Sequence, residues 1–283
     1  MNQTIPKPSY VSVHGGHSGD FCNHAFDSLE EIVHAYIRKG FTWVGITEHM
    51  PPVNDDFMYP DERAAGWNAD RLYDRFATYM ATARELQARY AGDLAIYIGF
   101  ETEFTTRALA FIRQLIQAFK PDYCVGSLHH VDNIGFDFSR EDYLKAVAAL
   151  GGYDALYQRY FDQQYELIEA LSPAVIGHFD LIRIYDEDYR RRLLKPPIAR
   201  RIDRNLALIA ERGMILDFNL AALSKGMDEP YISAGILQKA LALDIAVVPG
   251  DDSHSVDTVG RHMEKGIRLL KEMGFGTDWK RPV

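Results

Sequence analysis

The sequence predicts an α/β protein built on parallel strands, and three observations carry that expectation. Short β-branched or apolar runs alternate with helical patterns along the whole chain. No Pro/Gly/Ser-rich linker and no fixed-period repeat divides the 283 residues, so a single domain over 1–283 is expected. Nearly every strand-like run ends in a histidine or a carboxylate. That pattern favours a barrel, which brings every strand end to one mouth, over an open doubly wound sheet, which uses mainly the crevice at its switch point.

Taken in order, the strands are expected at 11–14, 43–49, 95–103, 123–129, 174–178, 215–219 and 245–250, seven in all. The first helix is the clearest. Asp27-Ser28 precede Leu29, Ile32, Val33, Tyr36 and Ile37, an i, i+3, i+4, i+7, i+8 stripe, and Gly40 stands at its end. Later helices are expected near 69–90, 107–118, 153–171, 199–212, 232–243 and 257–273. Two longer stretches remain. Residues 51–68 follow Thr47-Glu48-His49 and read as an active-site loop or lid, or else as a plain surface excursion; residues 131–141 follow His129-His130 in the same way.

Composition narrows the function class. With 47% hydrophobic and 25% charged residues the chain is an ordinary globular protein, which excludes disorder, collagen and a disulfide scaffold. Forty acidic against 31 basic residues give a net charge of −9, and no Lys/Arg cluster offers the basic face that a nucleic acid needs. Neither an 18-residue apolar run nor a cleavable apolar N-terminus occurs, so no membrane partner is expected. Two cysteines, Cys22 and Cys124, fit a reduced, cytoplasmic protein. Oligomeric state is left open.

The histidines are more informative. Eight of the ten lie at expected strand ends, leaving His34 and His262 on helices. Strand one runs into His14-Gly15-Gly16-His17, then Asp20 and Cys22-Asn23-His24; strand two ends in Glu48-His49, strand three in Glu101-Thr102-Glu103, strand four in His129-His130, strand five in His178-Phe179-Asp180, and strand seven in Asp251-Asp252-Ser253-His254. Imidazole and carboxylate together suit divalent Zn, Fe or Mn, and one carboxylate can bridge two ions. About ten converging donors would leave most unpaired around a single four-coordinate ion, so two to three ions are expected. Clustered ions point to hydrolysis of a phosphate ester, with a small-molecule phosphate as partner. Some neighbours carry alternatives: Glu103 as an outer partner or as the rim, Glu48 as an orienting group, His130 as a bystander of His129, Asp20 as a ligand or a helix-side acceptor, and Cys22 as an ordinary buried thiol.

Together these motifs resemble the polymerase-and-histidinol-phosphatase (PHP) family, and within it the monofunctional histidinol-phosphate phosphatases. The resemblance rests on Phe21-Cys22-Asn23-His24, Gly45 to Pro51, Gly99-Phe100-Glu101, Gly126 to His129, Gly177 to Arg183, and Gly250 to Ser255, in that order. It implies a distorted seven-stranded (β/α)7 barrel, TIM-barrel-like, with three metal ions. His14, His17, Glu101 and Asp252 would hold the first ion, Glu101, His129 and His178 the second, and His24, His49 and His254 the third. Attack on phosphorus by a hydroxide held between ions is implied, so Glu101, Asp252, His254 and Arg183 are the expected catalytic set. Arg183 would hold the phosphate. Lys225, Glu103 and His130 are further candidates at the substrate.

Two departures matter. The family usually opens with His-x-His, whereas this chain has His14-Gly15-Gly16-His17; the extra residue would reverse the strand face unless a bulge or glycine turn restores it. After strand six the close relatives commonly carry Asn-Thr-Ser-Gly-Leu-Arg-Lys, and here Ser224 replaces the arginine before Lys225. The resemblance therefore implies an L-histidinol phosphate phosphatase, with a different small substrate as the alternative and a non-catalytic metal-binding barrel as the remote one. The acidic Asp55, Asp56, Asp61 and Glu62 would either meet a cationic substrate or form a solvated loop face.

Overall fold

The computed structural model describes residues 9–283. Its strands are β1 (Tyr10–Ser12), β2 (Phe41–Ile46), β3 (Ala95–Ile98), β4 (Val125–Gly126), β5 (His130–Val131), β6 (Ile134–Gly135), β7 (Val175–Ile176), β8 (Ile215–Asn219) and β9 (Ala246–Gly250). One parallel sheet has the order β1-β2-β3, a second the order β4-β7-β8-β9, and β5-β6 is an antiparallel hairpin. The seven parallel strands are those expected, organised as two sheets. At one boundary between the sheets Val125 N–H donates to Phe100 O, and at the other Val13 N–H donates to Pro249 O, both at 2.9 Å.

The helices are α1 (Leu29–Arg38), α2 (Pro60–Ala64), α3 (Ala69–Arg89), α4 (Ala108–Phe119), α5 (Arg140–Ala149), α6 (Tyr153–Leu171), α7 (Tyr189–Leu193), α8 (Pro196–Glu211), α9 (Ala221–Ser224), α10 (Ala234–Ala242) and α11 (Met263–Glu272). α1 begins with a full capping box: Ser28 accepts from Glu31 N–H, and the Glu31 carboxylate accepts from Ser28 N–H at 2.9 Å. Its stripe buries Leu29, Ile32, Val33 and Tyr36 in the core. The expected loop at 131–141 instead contains the β5-β6 hairpin and the start of α5. Asp132 and Asn133 turn the hairpin with φ of 48° and 68°, the left-handed pair that a tight turn requires.

Strands are shorter than the sequence pattern indicates, because the ligand-type residues lie just past the regular ladders. His49 and Glu101 are joined by an isolated parallel bridge. Asp252 has a φ of 44°, a strained value for a residue with a side chain, and its N–H donates to His14 O at 2.9 Å. Three buried tyrosines brace these strand ends from beneath. Tyr79 donates to Ile46 O at 2.8 Å, Tyr123 to Val13 O at 2.6 Å and Tyr36 to the Asp251 carboxylate at 2.8 Å. Each such bond contributes about 1 kcal/mol net, and its loss would strand a buried partner. Among the described residues no helix is long and apolar enough to cross a membrane.

Candidate metal centre

Glu101 is the hub. Its Oε1 lies 2.8 Å from His178 Nε2 and 3.4 Å from His129 Nε2. Its Oε2 lies 3.2 Å from His49 Nδ1, 3.4 Å from His14 Nε2 and 3.9 Å from His17 Nε2. One carboxylate thus touches imidazoles from four segments of the chain. Asp252 Oδ1 approaches His17 Nε2 at 3.2 Å and His14 Nε2 at 4.0 Å, and the His254 ring stacks on His17 at 4.4 Å and on His24 at 5.0 Å. The turn at Gly15-Gly16 brings His17 back beside His14. A Cβ at Gly15 would lie 2.2 Å from Gly45 O, and one at Gly16 2.5 Å from Ile32 Cγ2, so the turn runs where a larger residue does not fit.

Most of these rings are backed by a second acceptor that fixes which nitrogen faces inward. His14 Nδ1 is 2.9 Å from Asp217 Oδ2, His129 Nδ1 is 2.8 Å from Glu103 Oε1, His17 Nδ1 is 3.6 Å from Glu48 Oε2, and His254 Nδ1 is 3.1 Å from Asp252 O. Glu48 is thereby an orienting group, held by Ser18 N–H at 2.8 Å and Ser18 Oγ at 2.7 Å. Asp20 is a helix-side acceptor, taking Leu29 N–H at 2.9 Å. Asp251 is engaged by Tyr36, Ser12 and Gly260 N–H. Asp217 was not singled out in the sequence. It also accepts from Asn219 Nδ2 at 3.0 Å, and the signal for it was an acidic residue inside a strand whose residues are all buried.

The donor set fits divalent metal ions. His14 Nε2, His17 Nε2 and His49 Nδ1 are buried without a hydrogen bond, an arrangement that metal ligation would satisfy. Potential ligand atoms group within 4.8 Å as His14 with Glu101 and His178, as His14 with His17 and Asp252, and as His17 with Cys22, His49 and His254. The second group lies within the set expected for the first ion, whereas the first joins His14 to Glu101 and His178 and lacks His129. The third has Cys22 where His24 was expected; His24 is 39% exposed at its side chain, with Nδ1 3.6 Å from Asp61 and Nε2 3.2 Å from Cys22 Sγ.

The electrostatics agree with such a centre. Burial opposes protonation of His14, yet Glu101 and Asp252 hold its pKa well above the usual value, and Asp252 and Glu48 raise His17 to about 9 against the same burial. Burial, reinforced by the charge on His17, lowers His49 well below the usual value and His254 to about 3. Against burial, His14 keeps Glu101 and Asp252 well below the carboxylate range. Carboxylates here demand positive charge, which protons on a few imidazoles supply and which divalent ions would supply with every ring neutral.

Above the centre opens a cavity of about 440 Å³ lined by His24, His49, Glu101, His129, His178, Asp252 and His254, with Lys225, Asp137 and aromatic side chains on its walls. Two expectations about the substrate side, for Arg183 and for Glu103 with His130, need correction. Arg183 is fully buried and does not line this cavity. Its Nε is 3.2 Å from Asp180 Oδ2, its Nη2 donates to Glu229 O at 3.0 Å and to Pro230 O, and its guanidinium lies 4.8 Å from the ring centroids of Tyr189 and Tyr231. Glu103 and His130 sit behind His129 instead of facing the cavity: Glu103 takes Tyr59 Oη at 2.6 Å, and its Oε2 is 3.4 Å from His130 Nδ1. Asp55, Asp56, Asp61 and Glu62 do not line this cavity: Asp55 takes Ala69 N–H, Glu62 takes Tyr59 N–H, and Asp61 lies 3.6 Å from His24 Nδ1 at its edge.

Parallel strands whose ends feed one imidazole–carboxylate centre define an α/β protein of the metallohydrolase kind. Comparison makes the assignment particular: residues 15–221 match the model of the PHP domain, and the chain belongs to that family. It is 34% identical to the "Probable histidinol-phosphatase" of Schizosaccharomyces pombe, over 94% of this chain and 87% of that one. A crystal structure assigned as a histidinol phosphatase of Listeria monocytogenes superposes with a TM-score of 0.80 at 27% identity, covering 90% of this chain and 99% of the other. The histidinol phosphate phosphatase of Lactococcus lactis, solved with zinc, L-histidinol and phosphate, shares the fold with a TM-score of 0.71 at 18% identity, covering 94% of each chain.

Proposed function

We propose that this protein is a metal-dependent phosphomonoesterase that hydrolyses L-histidinol phosphate to L-histidinol and phosphate. The observation that carries the reading is the convergence of Glu101, Asp252 and the surrounding imidazoles on the floor of one open cavity. The names of the relatives support the alcohol, and so do the zinc, L-histidinol and phosphate of the Lactococcus lactis structure. Within the same proposal the two sheets make a distorted seven-stranded barrel, supported by the hydrogen bonds at both sheet boundaries, and the chain is one cytoplasmic domain.

Two to three divalent ions, Zn, Fe or Mn, would be held by His14, His17, His24, His49, Glu101, His129, His178, Asp252 and His254. Bound there, such ions lower the pKa of water and offset charge on phosphoryl oxygens. Glu101 orients several imidazoles at once, and Asp217, Glu103 and Glu48 keep the inward nitrogens of His14, His129 and His17 free. Lys225, the one lysine or arginine on the cavity wall among the described residues, binds the phosphate in place of Arg183. A second reading, a different small phosphate ester, is favoured by Ser224, which stands where the family resemblance implies an arginine and does not line the cavity.

Phosphate release from a panel of phosphomonoesters, measured with metal content, tests both. L-Histidinol phosphate should be the best substrate, with two to three ions per chain. Because loss of a mere outer partner already lowers activity about 10–100-fold, Glu101→Gln and His254→Ala should lower turnover by more than that, with the circular dichroism spectrum retained. A protein that keeps full activity without metal would overturn the proposal.

A further inference from the structure

Asp137 is the acidic side chain on the cavity wall that the metal centre leaves unengaged. Of the three lining carboxylates, Glu101 and Asp252 face imidazoles, whereas the Asp137 carboxylate has no hydrogen bond or ion pair among the described residues. Its backbone is fixed. The preceding Phe136 is fully buried, packs edge-on against Tyr160 at 5.7 Å and donates its N–H to His129 O at 3.1 Å, and Tyr185 Oη donates to Asp137 O at 3.3 Å. Aromatic groups flank it: Phe138, 47% exposed, stacks on Tyr59 at 6.4 Å, and Tyr59 and Tyr185 share the wall.

A half-buried carboxylate held beside aromatic faces suits an organic cation and repels a phosphate. The phosphate end belongs with Lys225, on another element. The geometry points to a cation subsite in which the Asp137 carboxylate takes a protonated amine on the alcohol portion of the ester, with Phe138, Tyr59 and Tyr185 packing around the carbon skeleton. This assignment rests on the phosphomonoesterase reading above. It makes Asp137 a specificity-determining residue that discriminates amine-bearing phosphate esters from neutral ones, through binding and not through the chemical step.

The test uses the full-length metal-loaded enzyme with L-histidinol phosphate, phosphoethanolamine and phenyl phosphate as substrates. A charged hydrogen bond contributes about 1.5–3 kcal/mol, so Asp137→Asn should lower the ratio of kcat/KM for the amine-bearing esters over phenyl phosphate by about 10–100-fold, mainly through KM. Asp137→Glu, which keeps the charge, should restore most of that ratio. An unchanged ratio in Asp137→Asn, or a loss shared equally by all three esters, would overturn the subsite. If phosphoethanolamine is hydrolysed in an Asp137-dependent way and L-histidinol phosphate is not, the subsite stands and the histidinol assignment falls. If no ester is hydrolysed, both fall.

Discussion

Arg183 illustrates what a single residue's environment does to a motif-based expectation. The motif Gly177 to Arg183 places an arginine just after a strand end, but there its fork meets Asp180, two backbone carbonyls and two tyrosine rings. It braces the Tyr231 wall of the cavity from behind. Arg183→Ala should therefore cost about 3–5 kcal/mol in chemical denaturation, the penalty for leaving a buried partner charge uncompensated. A variant with unchanged stability and a raised KM for phosphate esters would restore the ligand role instead. The histidines were legible because a folded core gains nothing from so many imidazoles at strand ends unless they bind something there. Asp217 and Asp137 were not, since neither stands next to a histidine: Asp217 meets His14 from a strand remote in sequence, and only the fold brings Asp137 to the cavity wall.

Elements were legible where one physical rule dominates. The capped, amphipathic α1 and the all-buried β8 follow directly from residue pattern. The stretch 131–141 did not, because a hairpin of two-residue strands has too few residues to show an alternation. Strand ends were overextended for a related reason: ligand positions keep the apolar–polar rhythm of a strand after the ladder has stopped. Glycines mark where backbone and site approach closely. A Cβ at Gly250 would lie 2.0 Å from Asp217 Oδ1 and 3.0 Å from His14 Cβ. Gly250→Ala should thus push Asp217 off the His14 ring and weaken metal affinity by about 10–100-fold, as loss of an outer partner does. Retention of the full metal complement in competition with a chelator would rule this out.

Across the molecule, the net charge of −9 is a poor guide to what a substrate meets. Glu48, Glu101, Glu103 and Asp217 are buried among imidazoles and contribute little to the outer surface. Bound cations would offset them and stabilise the fold by mass action, by about 2.7 kcal/mol at a free concentration one hundred times Kd. At about 2–4 °C per kcal/mol for chains of this size, chelation should lower the melting temperature by roughly 5–10 °C. A melting curve unmoved by chelator would mean that the centre does not hold metal. The hydrogen bonds between the first and last strands have a further consequence during synthesis. Val13 finds Pro249, and His14 finds Asp252, only after almost the whole chain has been made. A nascent chain must carry the open edge of β1 and an incomplete ligand set until β9 emerges, so the centre assembles last, and truncation before residue 246 would forfeit it along with the seam.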